Sequence, residues 1–367
     1  MLEPSRRLLT LRVVTTVHIT ADDRSGAMEA AAFLADAGWR TVVCSWDGET
    51  AEADCTVTDL RSRHVSAAAA IARLGVAERR SGPVRMHKID STLRGNWPAE
   101  VALLAGRSRV VMIPAYPDAG RTCENGVVLV DGVPVDRTEF ANDPVTPVVT
   151  ARPADLLGAA SVHSAGELSD WFASVQGGTC VCDARTEGDV RALVSLALGQ
   201  DDAVLCGTAA VAGAIAAERT VGRPPAPVLP PGPVVVVCGS RHPRSVAQAD
   251  AVEGCADVTV VRPPAGLRAD PEVVALELAG RAHDEVQRIG ASLVVLLGGD
   301  TAEAFVGERP VSVLGSVGSG VRDRRGSVGM AVGIVGVGGR AVRIVTKPGG
   351  FGDDRSVLDL LTQRGAS

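Results

Sequence analysis

Aromatic side chains are scarce in this chain of 367 residues: one tyrosine, four tryptophans and five phenylalanines, 3% of the whole. The core must therefore be built from Val, Leu, Ala and Ile, and stacking platforms for single-stranded nucleic acid are lacking. An excess of positive charge is also missing. The net charge is −6 and the basic residues are scattered, which argues against a nucleic-acid or anionic-membrane surface. No apolar run reaches the ~18 residues of a membrane span. Ser5-Arg6-Arg7-Leu8-Leu9 has the outline of a twin-arginine export signal. The run beyond it carries His18 and enters Asp22-Asp23 with no small-residue cleavage site, so it reads as a first strand over 13–19. The eight cysteines are dispersed, and the close pair Cys180 and Cys182 lacks zinc-knuckle spacing; reduced thiols and a cytoplasmic location are expected. Neither H-E-x-x-H nor G-x-S-x-G occurs, nor the G-x-x-x-x-G-K-[ST] of a P-loop. Gly336-Val337-Gly338-Gly339-Arg340-Ala341 fits a dinucleotide fingerprint. A strand-like stretch follows it instead of a helix, so it reads as a hairpin turn.

What is present is 46% hydrophobic and long enough for two domains of roughly 150 residues each. Strand patterns at 13–19, 41–44, 55–58, 84–89, 109–113, 179–182 and 203–206 alternate with helical patterns at 25–37, 66–74, 99–104, 187–198 and 209–217. A hairpin is expected over 126–135, turning at Asp131-Gly132 with Pro134 on an edge. Six prolines between 223 and 233 mark a semi-rigid linker. The α/β pattern restarts beyond it, with strands at 234–238, 258–261 and 293–297 and helices at 245–251 and 271–288, then glycine-rich strand-like sequence through Thr346. The fold class is therefore α/β, with two domains (1–222 and 234–367), each a mostly parallel sheet flanked by helices, joined by the Pro-rich linker.

Chemistry concentrates where strands end, the place at which α/β sheets bind ligands. Asp22-Asp23 follow the first strand and open a helix; one of Asp23 or Ser25 can cap it, but a cap does not account for both carboxylates. Lys88-Ile89-Asp90-Ser91-Thr92-Leu93-Arg94-Gly95-Asn96 gathers two cations, a carboxylate and two hydroxyls. Cations suit an anionic ligand, and Asp90 can accept hydrogen bonds from ligand hydroxyls. The proline-rich turn over 114–121 would contribute Arg121 as a wall. In the second half, Gly239-Ser240, Gly298-Gly299-Asp300-Thr301 and Lys347-Pro348-Gly349-Gly350 each follow a strand and suggest a phosphate cradle.

Taken in order, these segments resemble the four-carbon acid sugar kinase family of threonate, erythronate and 3-oxo-tetronate kinases. The likeness rests on Ala21-Asp22-Asp23-Arg24-Ser25-Gly26-Ala27, the 88–96 run, Ala115 to Arg121, Asp131-Gly132-Val133-Pro134, Asp143-Pro144, Gly239-Ser240, residues 298–301 and residues 347–352. It spans nearly the whole chain. The resemblance implies ATP-dependent phosphorylation of the terminal hydroxyl of a small sugar acid, with Mg²⁺. The first domain would bind the acid and the second the nucleotide. Asp22 and Asp90 become candidate catalytic groups; Asp22, Asp23, Arg63, Lys88, Asp90, Ser91, Thr92 and Arg94 become substrate ligands. Ser240, Gly298, Gly299, Asp300, Thr301, Lys347, Gly349 and Gly350 would hold the nucleotide, with Asp300 near the metal. A sugar acid is the expected partner, and a homodimer is allowed.

The chain departs from the family pattern at Arg24, Ser25, Arg241-His242 and Pro348. Positive charge at 24 and 241 suggests a larger or more anionic ligand. The alternatives are a sugar-acid-binding protein without phosphotransfer, a kinase for a larger hydroxy acid, and a nucleotide-binding enzyme of another class such as a dehydrogenase.

Overall fold

A computed structural model describes residues 17–81, 85–218, 221–222, 224–264, 270–317, 330–348 and 352–364. In the first half the strands are β1 (Val17–Ala21), β2 (Thr41–Ser45), β3 (Cys55–Asp59), β4 (Met86–Lys88), β5 (Arg109–Ile113), β6 (Arg121–Glu124), β7 (Val127–Val130), β8 (Val133–Pro134), β9 (Ala160–Val162), β10 (Gly178–Cys182) and β11 (Ala203–Gly207). The helices are α1 (Arg24–Asp36), α2 (Ala67–Ser81), α3 (Trp97–Ala105), α4 (Pro153–Leu157), α5 (Ala165–Ser174), α6 (Glu187–Leu198) and α7 (Ala209–Glu218). The second half runs β12 (Val234–Cys238), α8 (Pro243–Asp250), β13 (Val258–Val261), α9 (Pro271–Ile289), β14 (Leu293–Leu297), α10 (Gly299–Val306), β15 (Val311–Val317), β16 (Met330–Val337), β17 (Arg340–Lys347) and α11 (Ser356–Thr362).

Fourteen strands make one sheet in the order β13-β12-β14-β17-β16-β15-β2-β3-β1-β4-β11-β5-β10-β9. From β2 to β9 all pairs are parallel, which is why these strands read as continuous apolar runs buried on both faces. β13, β12, β14 and β17 are also parallel, while β17, β16 and β15 are antiparallel neighbours. The two sheets expected from sequence are joined edge to edge, because β15 pairs antiparallel with β2 from Val311↔Val43 to Val313↔Thr41. Each sheet thereby covers an edge that would otherwise present unpaired backbone. Gly338 and Gly339, with φ of +54° and +76°, make the expected hairpin turn between β16 and β17. The 126–135 hairpin forms a separate sheet with β6, and Pro134 lies on its edge strand. Residues 224–233 carry neither helix nor strand.

The core is aliphatic, as the shortage of aromatics requires. Val234, Val235, Val236 and Val237 have no exposed surface, and neither do Leu293, Val294, Val295, Leu296 and Leu297. All eight cysteines are free thiols, seven of them buried. Helix α1 is rich in small residues, with Ala27, Ala30 and Ala31 wholly buried, so it fits closely between the halves. It meets the second half at both ends. Near its start Gly299 packs against Asp23 and Ser25, and at its end Asp36 accepts hydrogen bonds from Ser316 N (2.9 Å) and Ser316 Oγ (2.6 Å). No helix among the described residues is long and apolar enough to cross a membrane.

Candidate active site

Three adjacent parallel strands, β3, β1 and β4, end level with one another: Ala21 is in register with both Asp59 and Lys88. The chain leaving β1 therefore places Asp22 and Asp23 between the segment after β3, which carries Arg63, and the segment after β4, which carries Asp90 and Arg94. Arg63 grips Asp22 with both arms of its guanidinium, Nε to Oδ2 at 2.8 Å and Nη2 to Oδ1 at 3.0 Å. Nη2 also donates to Asp23 Oδ1 at 2.7 Å and lies 3.6 Å from Asp90 Oδ1. Asp23 caps α1, accepting from Gly26 N at 3.0 Å and from Ser25 Oγ at 2.5 Å. The two aspartates thus have separate tasks: one caps the helix, and both share one arginine.

Asp90 is held in the same way by Arg94, Nε to Oδ2 and Nη2 to Oδ1 each at 2.9 Å. The Thr92 hydroxyl donates to Asp90 as well, and Arg94 Nη1 reaches Asp143 Oδ2 at 3.4 Å. The loop closes through Leu93 and Gly95 at φ of +63° and +92°. Asn96 Nδ2 donates to the carbonyls of Ser62 and Val65 at 2.7 and 2.8 Å, tying this loop to the Arg63 segment. Ser91 is half-buried beside them. Lys88 is 5% exposed, with Nζ lying over Gly26, where any side chain would collide with it. The residues after β3, β1 and β4 nominated from sequence are thus brought together.

Their charges respond to that company. Burial pushes the Asp22 carboxyl up, and the opposing pull of Arg63 and Lys88 does not fully offset it. Burial also works against ionisation at Asp90, but Arg94 and Arg63 overcome it and hold the carboxyl well below the usual range. Asp23 is likewise pulled down, with Arg63 and Lys88 outweighing burial. Burial disfavours the Arg63 cation, and the three carboxylates raise it well above its ordinary value.

A second set of strands repeats the arrangement. β12, β14 and β17 end level, Leu297 being in register with Cys238 and Lys347. Ser240, Gly298 and Thr301 meet here: a Cβ on Gly298 would lie 3.1 Å from Ser240 Cβ and 3.6 Å from Thr301 Oγ1, and one on Gly239 would collide with Thr301. Gly298 N-caps α10 at φ of +107°, so the first N–H groups of that helix face the turn. A Cβ on Gly299 would lie 3.1 Å from Asp23 Oδ2 and 3.3 Å from Ser25 Oγ, so this turn abuts the carboxylate cluster directly. Lys347 is 3% exposed and its Nζ donates to Pro348 O at 2.8 Å; burial lowers it to about 8. The Asp300 side chain is 63% exposed, with Oδ1 4.0 Å from His64 Nδ1. No group of three metal-ligating side chains occurs among the described residues. A single exposed carboxylate beside a phosphate cradle is nevertheless the donor set that Mg²⁺ takes with a nucleotide. Gly349 and Gly350 lie outside the described residues.

The suggestion that Arg24 adds charge to the ligand site is overturned. Its side chain is wholly buried, with Nε 2.9 Å from the equally buried Asp59 Oδ2 and Nη2 donating to Gly307 O at 3.0 Å. Sequence spacing could not reveal this, because Asp59 comes from the neighbouring strand. Arg241 is exposed ahead of α8, whose N-cap is His242. One group that sequence reasoning missed feels the Lys88 charge: Glu29 on α1, with Tyr116 of the turn after β5 as its neighbour.

A family described as a sugar-binding N-terminal domain matches residues 17–215. The chain is 32% identical to the D-threonate kinase of Bordetella bronchiseptica, over 92% of this chain and 94% of that one. A solved structure from Haemophilus influenzae covers 92% of this chain and 97% of its own with a TM-score of 0.66, at 18% identity, a likeness of fold. Another from Bordetella bronchiseptica, a domain-swapped dimer with bound citrate, is 28% identical and covers 95% of this chain and 98% of its own, with a TM-score of 0.50.

Proposed function

This chain belongs to the four-carbon acid sugar kinase family and is a kinase of sugar acids; we propose that it moves the γ-phosphoryl group of ATP to the terminal hydroxyl of a C4 sugar acid such as D-threonate. One observation carries this reading: Gly299, in the glycine turn that suits phosphates, lies against Asp23 and Ser25 of the carboxylate cluster. A phosphoryl donor on the turn and a hydroxyl on the cluster would meet there, and phosphoryl transfer asks chiefly for such positioning and for charge neutralisation.

In this scheme Asp22 accepts the hydroxyl proton. Its carboxyl is the one that burial raises, which brings it toward the range of a useful base. Asp90, held ionised by Arg94 and Arg63, is a fixed acceptor for substrate hydroxyls together with Ser91 and Thr92. Asp23 and Arg63 order the seam, and Lys88 and Arg94 supply positive charge to the acid. Ser240, the backbone of 298–301 and Lys347 hold the nucleotide phosphates, a role extended to Gly349 and Gly350. Asp300 would hold Mg²⁺, which supplies neutralisation of phosphate charge. The citrate and the dimer of the Bordetella structure support a carboxylate ligand and a homodimer here.

The test is ADP release by the purified chain with a panel of C4 acids: D-threonate, D-erythronate and 3-oxo-tetronate. Acid-dependent ADP release with at least one of them is expected. ADP release independent of any acid, or none, would overturn the reading.

A further inference from the structure

Glu29 is one turn into α1, on the face that Gly26 presents to Lys88. Its Oε1 is buried and accepts no hydrogen bond, while the buried Tyr116 is its electrostatic neighbour. A buried acceptor without a donor is costly, and it persists where something absent from the free protein supplies the donor. Lys88 stands beside it. The carboxyl groups of Asp22, Asp23, Asp90 and Glu29 all feel the Lys88 charge, yet none lies within 4.0 Å of Nζ. Arg63 and Arg94, by contrast, are each committed to an aspartate through two hydrogen bonds. Lys88 Nζ and Glu29 Oε1 are therefore a cation and a buried acceptor left uncommitted among the described residues of this wall.

Their position gives the ligand a direction. Asp23 marks the seam with the phosphate turn, and Glu29 is six residues further along α1, about 9 Å along the axis at 1.5 Å per residue. An acid phosphorylated at the seam points its other end toward Lys88 and Glu29. Resting on the sugar-acid reading above, we propose that Lys88 and Glu29 together recognise a 2-hydroxy-carboxylate: the carboxylate docks on Nζ, and the adjacent 2-hydroxyl donates to Glu29 Oε1. Tyr116 neighbours the Glu29 carboxyl, which gives the turn after β5 a part in selecting the substrate. Glu29 is then a specificity-determining residue, favouring acids whose 2-hydroxyl supplies the donor that its oxygen lacks in the free protein.

Calorimetric binding to the full chain, without nucleotide, compares D-threonate with 3,4-dihydroxybutanoate, which lacks only the 2-hydroxyl. The wild type is expected to prefer D-threonate by about tenfold or more. Glu29→Ala should bring the ratio to within about twofold of unity, and Lys88→Met should weaken both acids together. Glu29→Gln, nearly the same shape, keeps the test readable if the alanine variant does not fold, and should also reduce the ratio. The proposal is overturned by a wild type with no preference or no binding. It is equally overturned by Glu29 variants that weaken both acids alike, which would leave Glu29 as mere support for Lys88. ADP release measured on the same samples separates the two readings. A wild type that binds with this preference yet transfers no phosphate defeats the kinase assignment and leaves this one standing.

Discussion

The wall at the ends of β3, β1 and β4 and the turns at the ends of β12, β14 and β17 occupy equivalent places in the sheet but are built by opposite means. The first is made of charge: Asp22, Asp23 and Asp90 are fixed by Arg63 and Arg94, with Lys88 alongside. The second is made of omitted side chains: Gly239, Gly298 and Gly299 bring backbone against Thr301, Ser240 and Asp23. A site of paired buried charges is sensitive to the loss of any one partner, because the others are left desolvated. A site of glycines is sensitive to added volume and tolerant of distant charge.

Arg63→Ala should break the comparison most visibly, since one cation serves Asp22, Asp23 and Asp90. A stability loss of about 3–5 kcal/mol is expected in denaturant titrations, and Arg63→Lys should not restore the two-armed geometry. A loss under about 1 kcal/mol would show that the wall is not held by charge. Arg24→Leu sharpens the boundary of that wall. It strips Asp59 of its main partner and should cost about 3 kcal/mol, while the KM for the acid stays unchanged because Arg24 lies outside the pocket. A KM that rises tenfold would return Arg24 to the site. Gly298→Ala tests the other region. At φ of +107° an alanine is strained by about 1–3 kcal/mol, and nucleotide affinity should fall with acid affinity intact.

The smallest expected effect is a pH dependence. Lys347, lowered to about 8, loses its charge as pH rises through that value, so nucleotide affinity should fall about tenfold between pH 7 and 9, and Lys347→Met should flatten the profile. Stability moves the other way at this residue. Between about 8 and the unfolded 10.5 the unfolded chain binds the extra proton, so its contribution rises with pH. Asp90 shows the same sense in an acid window, its stabilisation being present above the ordinary 3.8 and lost as pH falls through its lower folded value.

Strands β12, β13 and β14 and helix α6 coincide with their sequence expectations, because valine runs and the Thr186–Asp189 capping box are local signals. So is the 338–339 turn, identified by the strand that follows it. Helix α5 was missed although Ser164 and Glu167 stand at its start, and so were α4, α11 and β9, all short, while α10 occupies the start of the stretch expected to be strand-like. The join of β15 to β2 was not legible either. It pairs residues some 270 positions apart, and nothing in either strand names its partner. The site divides in the same way. Asp22, Asp23, Lys88, Asp90 and Arg94 stand in compact motifs after strands. Glu29 looks like one more polar residue in an alanine-rich helix, and Arg24 looks like a ligand, until the neighbouring strands supply Lys88 for the one and Asp59 for the other.

Helix α1 is a rod of 13 residues, about 20 Å long, and the second half of the molecule rests on it at both ends, through Gly299 near the start and Ser316 at Asp36. Those two contacts, together with the pairing of β15 to β2, hold the second half against the rod. The placement of the second half is accordingly gauged by a length of helix, and a residue inserted anywhere within α1 would put the two ends out of phase by about 100°.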